Sequence, residues 1–278
     1  MFFKIFALVS AISSVTFGSD CDVSRCLIPK HYEELGCKSV KKDGDCCPQS
    51  FDCTHLETRD RSKCYYKDST LNVGDSVDSS LLKGSCTGPC DCAENRFICA
   101  QRSCAEQFGP HLEPGCVRQY SNNECCSTGV ACGDNSTKLA TCDFEGKTYK
   151  EGERMQPQDH KCHRCLCTKD FGKNSVLENE NCFKTSCDIE LFETDSIRDG
   201  CIPSYHPDSC CPYAWRCPTK SDAIIPANQE ESKDPKSPKC KFGNLLLEIG
   251  DTLSKDENGC SKCTCKQPPM VECVFNGC

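Results

Sequence analysis

Cys142-Asp143-Phe144-Glu145-Gly146-Lys147-Thr148-Tyr149-Lys150-Glu151-Gly152-Glu153-Arg154-Met155 leads to Cys162-His163-Arg164-Cys165-Leu166-Cys167, and later to Gly200-Cys201, Cys210-Cys211 and Cys217. These spacings recur along the chain, and the recurrence decides the fold. One recurring element is Gly-Cys, eight residues, Cys-Cys, five residues, Cys. It occurs at Gly36-Cys37/Cys46-Cys47/Cys53, at Gly115-Cys116/Cys125-Cys126/Cys132 and at Gly200-Cys201/Cys210-Cys211/Cys217. A Cys-x4-Cys pair precedes each copy: Cys21/Cys26, Cys99/Cys104 and Cys182/Cys187.

A second element opens on one cysteine. Seven residues on comes an apolar side chain, at ten a glycine, at eleven an acid and at thirteen another apolar residue. The copies are Cys64 with Leu71, Gly74, Asp75 and Val77; Cys142 with Tyr149, Gly152, Glu153 and Met155; Cys240 with Leu247, Gly250, Asp251 and Leu253. A cysteine cluster follows each: Cys86/Cys90/Cys92, Cys162/Cys165/Cys167 and Cys260/Cys263/Cys265. Joined, the two elements form a ten-cysteine module. Residues 64–132 and 142–217 are complete modules, 19–53 is the C-terminal half of one, and 240–278 is the N-terminal half of another. Together they account for all 32 cysteines of the 278-residue chain.

That cysteine density marks a disulfide scaffold of an oxidising compartment. Aromatic residues make up only 8%, too few for one large core, so small cores stapled by disulfides are expected. The fold class expected is small disulfide-rich all-β modules in tandem, with short hairpins and irregular loops along an elongated chain. The Gly-acid pair at offsets ten and eleven suits a turn with positive φ, and a hairpin between offsets seven and thirteen is expected around it. The polar, breaker-rich stretches 54–63, 133–141 and 218–239 read as linkers or exposed loops. Which cysteine pairs with which is left open, since six cysteines alone allow 15 pairings.

Residues 1–18 read as a signal peptide: Lys4, then an apolar run from Ile5 to Phe17, then small residues before a cut after Gly18. The run is too short to span a bilayer. The chain carries a net charge of −8, which disfavours nucleic acid as a partner.

No motif calls for catalysis. Cys162/Cys165 beside His160 and His163 has zinc-ligand spacing, but the same cluster at Cys260/Cys263 has no histidine near it, and a metal site would repeat its ligands. Structural disulfides are expected instead, with no metal and no cofactor. All six histidines read as solvated loop residues. Asn135-Ser136-Thr137 fits an N-glycosylation acceptor at Asn135. The fourth residue after each double cysteine is apolar: Phe51, Val130 and Trp215. Packing against the disulfides is expected for Phe51 and Val130. Trp215, beside Tyr213, is a candidate partner contact.

The cysteine order resembles the von Willebrand factor type C module, most closely over Cys142 to Cys217 and the run from Phe144 to Glu153. The match departs at Met155, where the family often has Trp, and in the five-residue gap after the double cysteine. The resemblance implies a secreted, extracellular binding protein that modulates bone morphogenetic proteins and related growth factors. It places the contact surface near the first hairpin, at Phe144 and Tyr149, and at Leu245 to Leu247 in the last copy. Two other classes stay open. One is a venom, salivary or immune effector, or a protease inhibitor. The other is an extracellular-matrix protein.

Overall fold

The computed structural model describes residues 26, 28–172, 174–227, 237–255 and 260–277. The expected signal peptide, Cys21 and Cys278 lie outside the described residues. In chain order, the N-terminal half-module contains α1 (Lys30–Glu34) and the hairpin β1 (Lys38–Val40) with β2 (Ser50–Asp52). α2 (Thr54–Glu57) follows.

Module one opens with the hairpin β3 (Cys64–Tyr66) and β4 (Ser69–Leu71). A longer hairpin, β5 (Thr87–Ala93) and β6 (Arg96–Gln101), comes next. β7 (Val117–Gln119) and β8 (Gly129–Ala131) form its second half. α3 (Asp134–Thr137) leads into module two, which opens with β9 (Thr141–Phe144) and β10 (Lys147–Lys150). β11 (Arg154–Met155), β12 (His163–Leu166) and β13 (Cys182–Lys184) make a three-stranded sheet. α4 (Ile189–Phe192), α5 (Thr194–Arg198) and the hairpin β14 (Ile202–Tyr205) with β15 (Ala214–Arg216) complete the module.

β16 (Ile224–Ile225) precedes the C-terminal half-module. That half-module holds the hairpin β17 (Cys240–Phe242) with β18 (Leu245–Leu247), then β19 (Thr252–Leu253), β20 (Ser261–Thr264) and β21 (Glu272–Phe275). The architecture is thus small hairpins with a few short helices, stapled by disulfides.

The first hairpin of each module lies one turn earlier than the sequence pattern implies. The opening cysteine faces the offset-seven residue across the ladder: Cys64 and Leu71, Cys142 and Tyr149, Cys240 and Leu247. The hairpin turns are Lys67, Glu145-Gly146 and Gly243, all at positive φ. The Gly-acid pair instead joins this hairpin to the next strand. Gly74, Gly152 and Gly250 take φ of 94°, 88° and 95°. Each donates its N–H to the carbonyl of the fourth cysteine of its module, Cys92, Cys167 or Cys265, at 2.8 Å. The acid then fastens the turn from within. Asp75, Glu153 and Asp251 accept the backbone N–H of Asn72, Lys150 and Glu248 at 2.8, 2.6 and 2.9 Å. Three copies therefore use one glycine and one carboxylate for the same two jobs. This explains why a small repertoire of residues recurs at fixed offsets.

The disulfides follow one order in both complete modules. In module one the bonds are Cys64–Cys92, Cys86–Cys125, Cys90–Cys99, Cys104–Cys126 and Cys116–Cys132. In module two they are Cys142–Cys167, Cys162–Cys210, Cys165–Cys182, Cys187–Cys211 and Cys201–Cys217. The first cysteine pairs with the fourth, the second with the eighth, the third with the fifth, the sixth with the ninth and the seventh with the tenth. The half-modules keep the same order in Cys26–Cys47, Cys37–Cys53, Cys240–Cys265 and Cys263–Cys273. No cysteine is free among the described residues.

The modules are interlocked, not strung out as separate beads. Leu191 of α4 enters the core of module one beside Cys64, Tyr66, Leu71, Val77, Leu82 and Phe97. Polar partners seal that entry. Tyr66 donates its hydroxyl to Asp188 at 2.7 Å, and Glu190 takes Arg59 at 2.6 Å and the Lys67 N–H at 2.7 Å. Both carboxylates are buried, and each finds the donors that burial demands.

On its other side the second half of module two joins the C-terminal half-module. β14 pairs in parallel with β21, giving the six-stranded order β15-β14-β21-β20-β19-β16, and Ile202 enters a core with Phe242, Leu247, Leu253 and Val271. β16 belongs to the stretch read as a linker, and Asp222 in the same stretch pairs with Arg216. Residues 218–227 are therefore docked, because Ile224 joins that core and a buried arginine needs its counter-charge.

The two half-modules also pack together. Tyr32 stacks on Phe51 at 4.1 Å; its hydroxyl donates to the Gln267 carbonyl at 2.6 Å and accepts the Met270 N–H at 2.8 Å. The Phe51 N–H donates to the Pro268 carbonyl at 2.8 Å.

Truncating a buried leucine costs about 2–5 kcal/mol. Leu191→Ala is expected to lose that much stability in urea unfolding with the disulfides intact. An unchanged midpoint would show that α4 does not clasp module one.

Candidate interaction surface

The second half of module two, the N-terminal half-module and the C-terminal half-module leave a cleft of about 610 Å³ between them. Trp215, Ile202, Ile197, Leu35, Leu56 and Met270 supply its apolar lining. Trp215 is half-buried on β15, where it faces Pro203 across the ladder. Three ion pairs border the cleft: Arg59–Glu190, with the carboxylate buried and the arginine half-buried, and the more exposed Lys241–Glu57 at 3.0 Å and Arg198–Asp199 at 3.7 Å. Burial pushes the Glu190 carboxyl up, and Arg59 beside it opposes that. The arrangement suits an apolar protrusion ringed by polar groups, the pattern of a protein-contact hot spot. The sequence singled out Trp215, but not the leucines, isoleucines and methionine that join it from three other segments.

Other expected residues fall elsewhere. Tyr213 is 69% exposed and its ring lies against Phe275 at 4.6 Å. Phe51 is buried, as expected. Val130 is 50% exposed, against the packing expected of it, because its short hairpin has no neighbouring element over that face. Phe144 and Tyr149 are half-buried against the core of Cys142, Met155, Cys165 and Cys167, with Phe144 edge-on to Phe171 at 5.8 Å. Leu247 is buried, Leu245 half-buried and Leu246 exposed. Asn135 is exposed on α3.

The Cys-x2-Cys pairs do not close on themselves. Cys162 and Cys165 bond to Cys210 and Cys182, and Cys263 bonds to Cys273. Groups of three cysteine sulfurs do approach one another, as at Cys187, Cys210 and Cys211. These are the adjacent disulfides of the double cysteine, and a disulfide sulfur is not the thiolate that a zinc site requires.

Two histidines depart from the solvated-loop reading: His163 lies half-buried on β12, and His31 departs further. His31 is buried, and neither ring nitrogen has a hydrogen-bond partner. It lies between Tyr32 at 4.4 Å and Tyr205 of β14 at 6.1 Å. Burial lowers its pKa to about 4. No pattern in the sequence distinguishes it from the other five, since the element that covers it is 174 residues away.

No family model matches the chain, and no solved structure matches it. No helix among the described residues is long and apolar enough to cross a membrane.

The folded state holds His31 neutral where the unfolded chain would protonate it. Its contribution to stability is therefore complete above pH 6.5 and is lost as pH falls toward about 4. The loss should be on the order of 3 kcal/mol. Urea midpoints measured from pH 7 to pH 4 should fall more steeply for the native chain than for His31→Phe. Parallel curves would contradict the burial of a neutral imidazole.

Proposed function

We propose that this is a secreted binding protein whose ligand is a growth factor of the bone morphogenetic protein and transforming growth factor β class. The observation that carries the reading is the cleft beside Trp215, built by a disulfide frame whose pairing order is the same in both complete modules. Such a frame holds an apolar contact open to solvent without collapse, because the covalent staples limit the alternatives. Tryptophan in a partly buried apolar recess is the residue type that most often dominates a protein interface. The growth-factor class comes from the resemblance of the ten-cysteine order to von Willebrand factor type C modules. Secretion agrees with the disulfide density, with the signal-peptide reading of residues 1–18 and with a glycan on the exposed Asn135. The ligand is bound and released unchanged, and no nucleic acid takes part.

The test is binding of the purified, oxidised protein to immobilised bone morphogenetic proteins. Saturable binding that is lost on reduction is expected. Trp215→Ala should weaken it at least tenfold, with the thermal midpoint retained, and Trp215→Phe should recover most of it. Absence of binding across several such ligands would sink the growth-factor reading.

A further inference from the structure

His163 opens β12, and His160 lies just before it in a turn closed by the His163 N–H on the His160 carbonyl at 2.8 Å. That turn brings the two rings together, with centroids 5.7 Å apart and planes at 80°. Both residues are half-buried. Among the described residues neither ring makes a hydrogen bond to the protein, and no nitrogen of either is sealed from water. Burial, with His160 and the lysines nearby adding to it, holds the His163 pKa below its usual value. At neutral pH the ring is therefore the neutral form that metals bind.

An imidazole nitrogen sits about 2.1 Å from zinc, so two rings on one tetrahedral ion have centroids about 5.2 Å apart. The observed 5.7 Å is close to that spacing, and a small rotation of either side chain closes the difference.

A carboxylate stands beside the pair. Across the ladder His163 faces Lys184 of β13, and Lys184 pairs with Glu33 of α1. Both ends of that pair are largely exposed, and an exposed ion pair is given up at little cost. Positive charge around the rings is already matched. Lys30 has Glu34 at 3.4 Å, Lys161 has Asp208 at 2.6 Å, and Lys184 has Glu33. The cysteines of this stretch take no part, since Cys162 and Cys165 bond to Cys210 and Cys182. The ligands belong to one junction, between α1 and the β12–β13 pair, so the other modules need not repeat them.

We propose that His160 and His163 bind a divalent transition metal of the zinc class, with the Glu33 carboxylate as third ligand. The ion clips the N-terminal half-module to the three-stranded sheet of module two. Magnesium and calcium, which require oxygen donors, are not taken. The site does not depend on the growth-factor reading, and no growth factor enters its test.

Calorimetric titration of the full oxidised chain with zinc chloride, at about pH 7.5, reads the binding directly. One site with a micromolar Kd is expected, with no heat from magnesium chloride and tighter binding of copper(II) than of zinc. His160→Gln and His163→Gln should each weaken zinc by about tenfold or more, and Glu33→Gln should weaken it severalfold. His111→Gln, at an exposed position elsewhere, should leave it unchanged. In the native chain, substoichiometric copper(II) should broaden the imidazole NMR signals of His160 and His163 before those of the other histidines. Absence of zinc binding up to about 1 mM would overturn the proposal. So would an affinity indifferent to both histidine substitutions, or first broadening at another histidine. A Glu33→Gln affinity equal to the native one would remove the carboxylate from the site and with it the clip.

Discussion

The bond from the second cysteine to the eighth, Cys86–Cys125 in module one and Cys162–Cys210 in module two, ties each first half to its second half. Neither half has a core large enough to stand on burial alone. Each is a two- or three-stranded patch around a few apolar side chains and its own staples. Once Cys162–Cys210 and Cys187–Cys211 fix the second half of module two, its two ends point at two neighbours. Asp188, Glu190 and Leu191 engage module one, and Ile202 and Ser204 engage the C-terminal half-module. The N-terminal half-module closes on the same hub. Glu34 accepts the Cys187 N–H at 2.6 Å, and Lys30 donates to the Thr185 carbonyl. The long-range architecture therefore depends on a short stretch held by two adjacent disulfides.

Much of the local structure was legible in the cysteine spacing. The positive φ at Gly74, Gly152 and Gly250 follows from the Gly-acid pair, and the offset-thirteen residues Val77, Met155 and Leu253 are buried, as their apolar character implies. The hairpin lies one turn earlier than the Gly-acid pair implies. Its turns are Lys67-Asp68, Glu145-Gly146 and Gly243-Asn244, and the Asp, Gly and Asn in them are the turn signal between offsets two and seven that places it. Connectivity was not legible, because spacing along a chain does not say which sulfurs meet. The interlocking was hidden for a related reason. Tyr66 and Asp188 are 122 residues apart, Tyr32 and Met270 are 238 apart, and no periodic pattern joins them. His31 shows the same limit, since its burial is a property of Tyr205 and its neighbours, not of the residues beside it in sequence.

The candidate surfaces were half legible. Trp215 is legible as the chain's lone tryptophan, yet its recess exists only because Leu35, Leu56 and Met270 converge on it from distant parts of the chain. Phe144 and Tyr149 are legible through their place in the repeat, at offsets two and seven from Cys142. The copies within the chain differ here: the counterparts Tyr66 and Phe242 are buried, whereas Phe144 and Tyr149 are half-buried, packed with Phe171 and Val176 of their own module. A chain with few aromatic residues leaves some of them at the surface, and the covalent frame allows this because so little of its stability rests on one continuous core.

The central claim is that one pairing order, repeated, builds the molecule. Digestion of the non-reduced protein at acidic pH, followed by mass spectrometry of the linked peptides, tests it most directly. The account predicts one peptide cluster joining Cys162 and Cys187 to Cys210-Cys211, and a separate link from Cys165 to Cys182. A Cys162–Cys165 bond, or different orders in modules one and two, would contradict it.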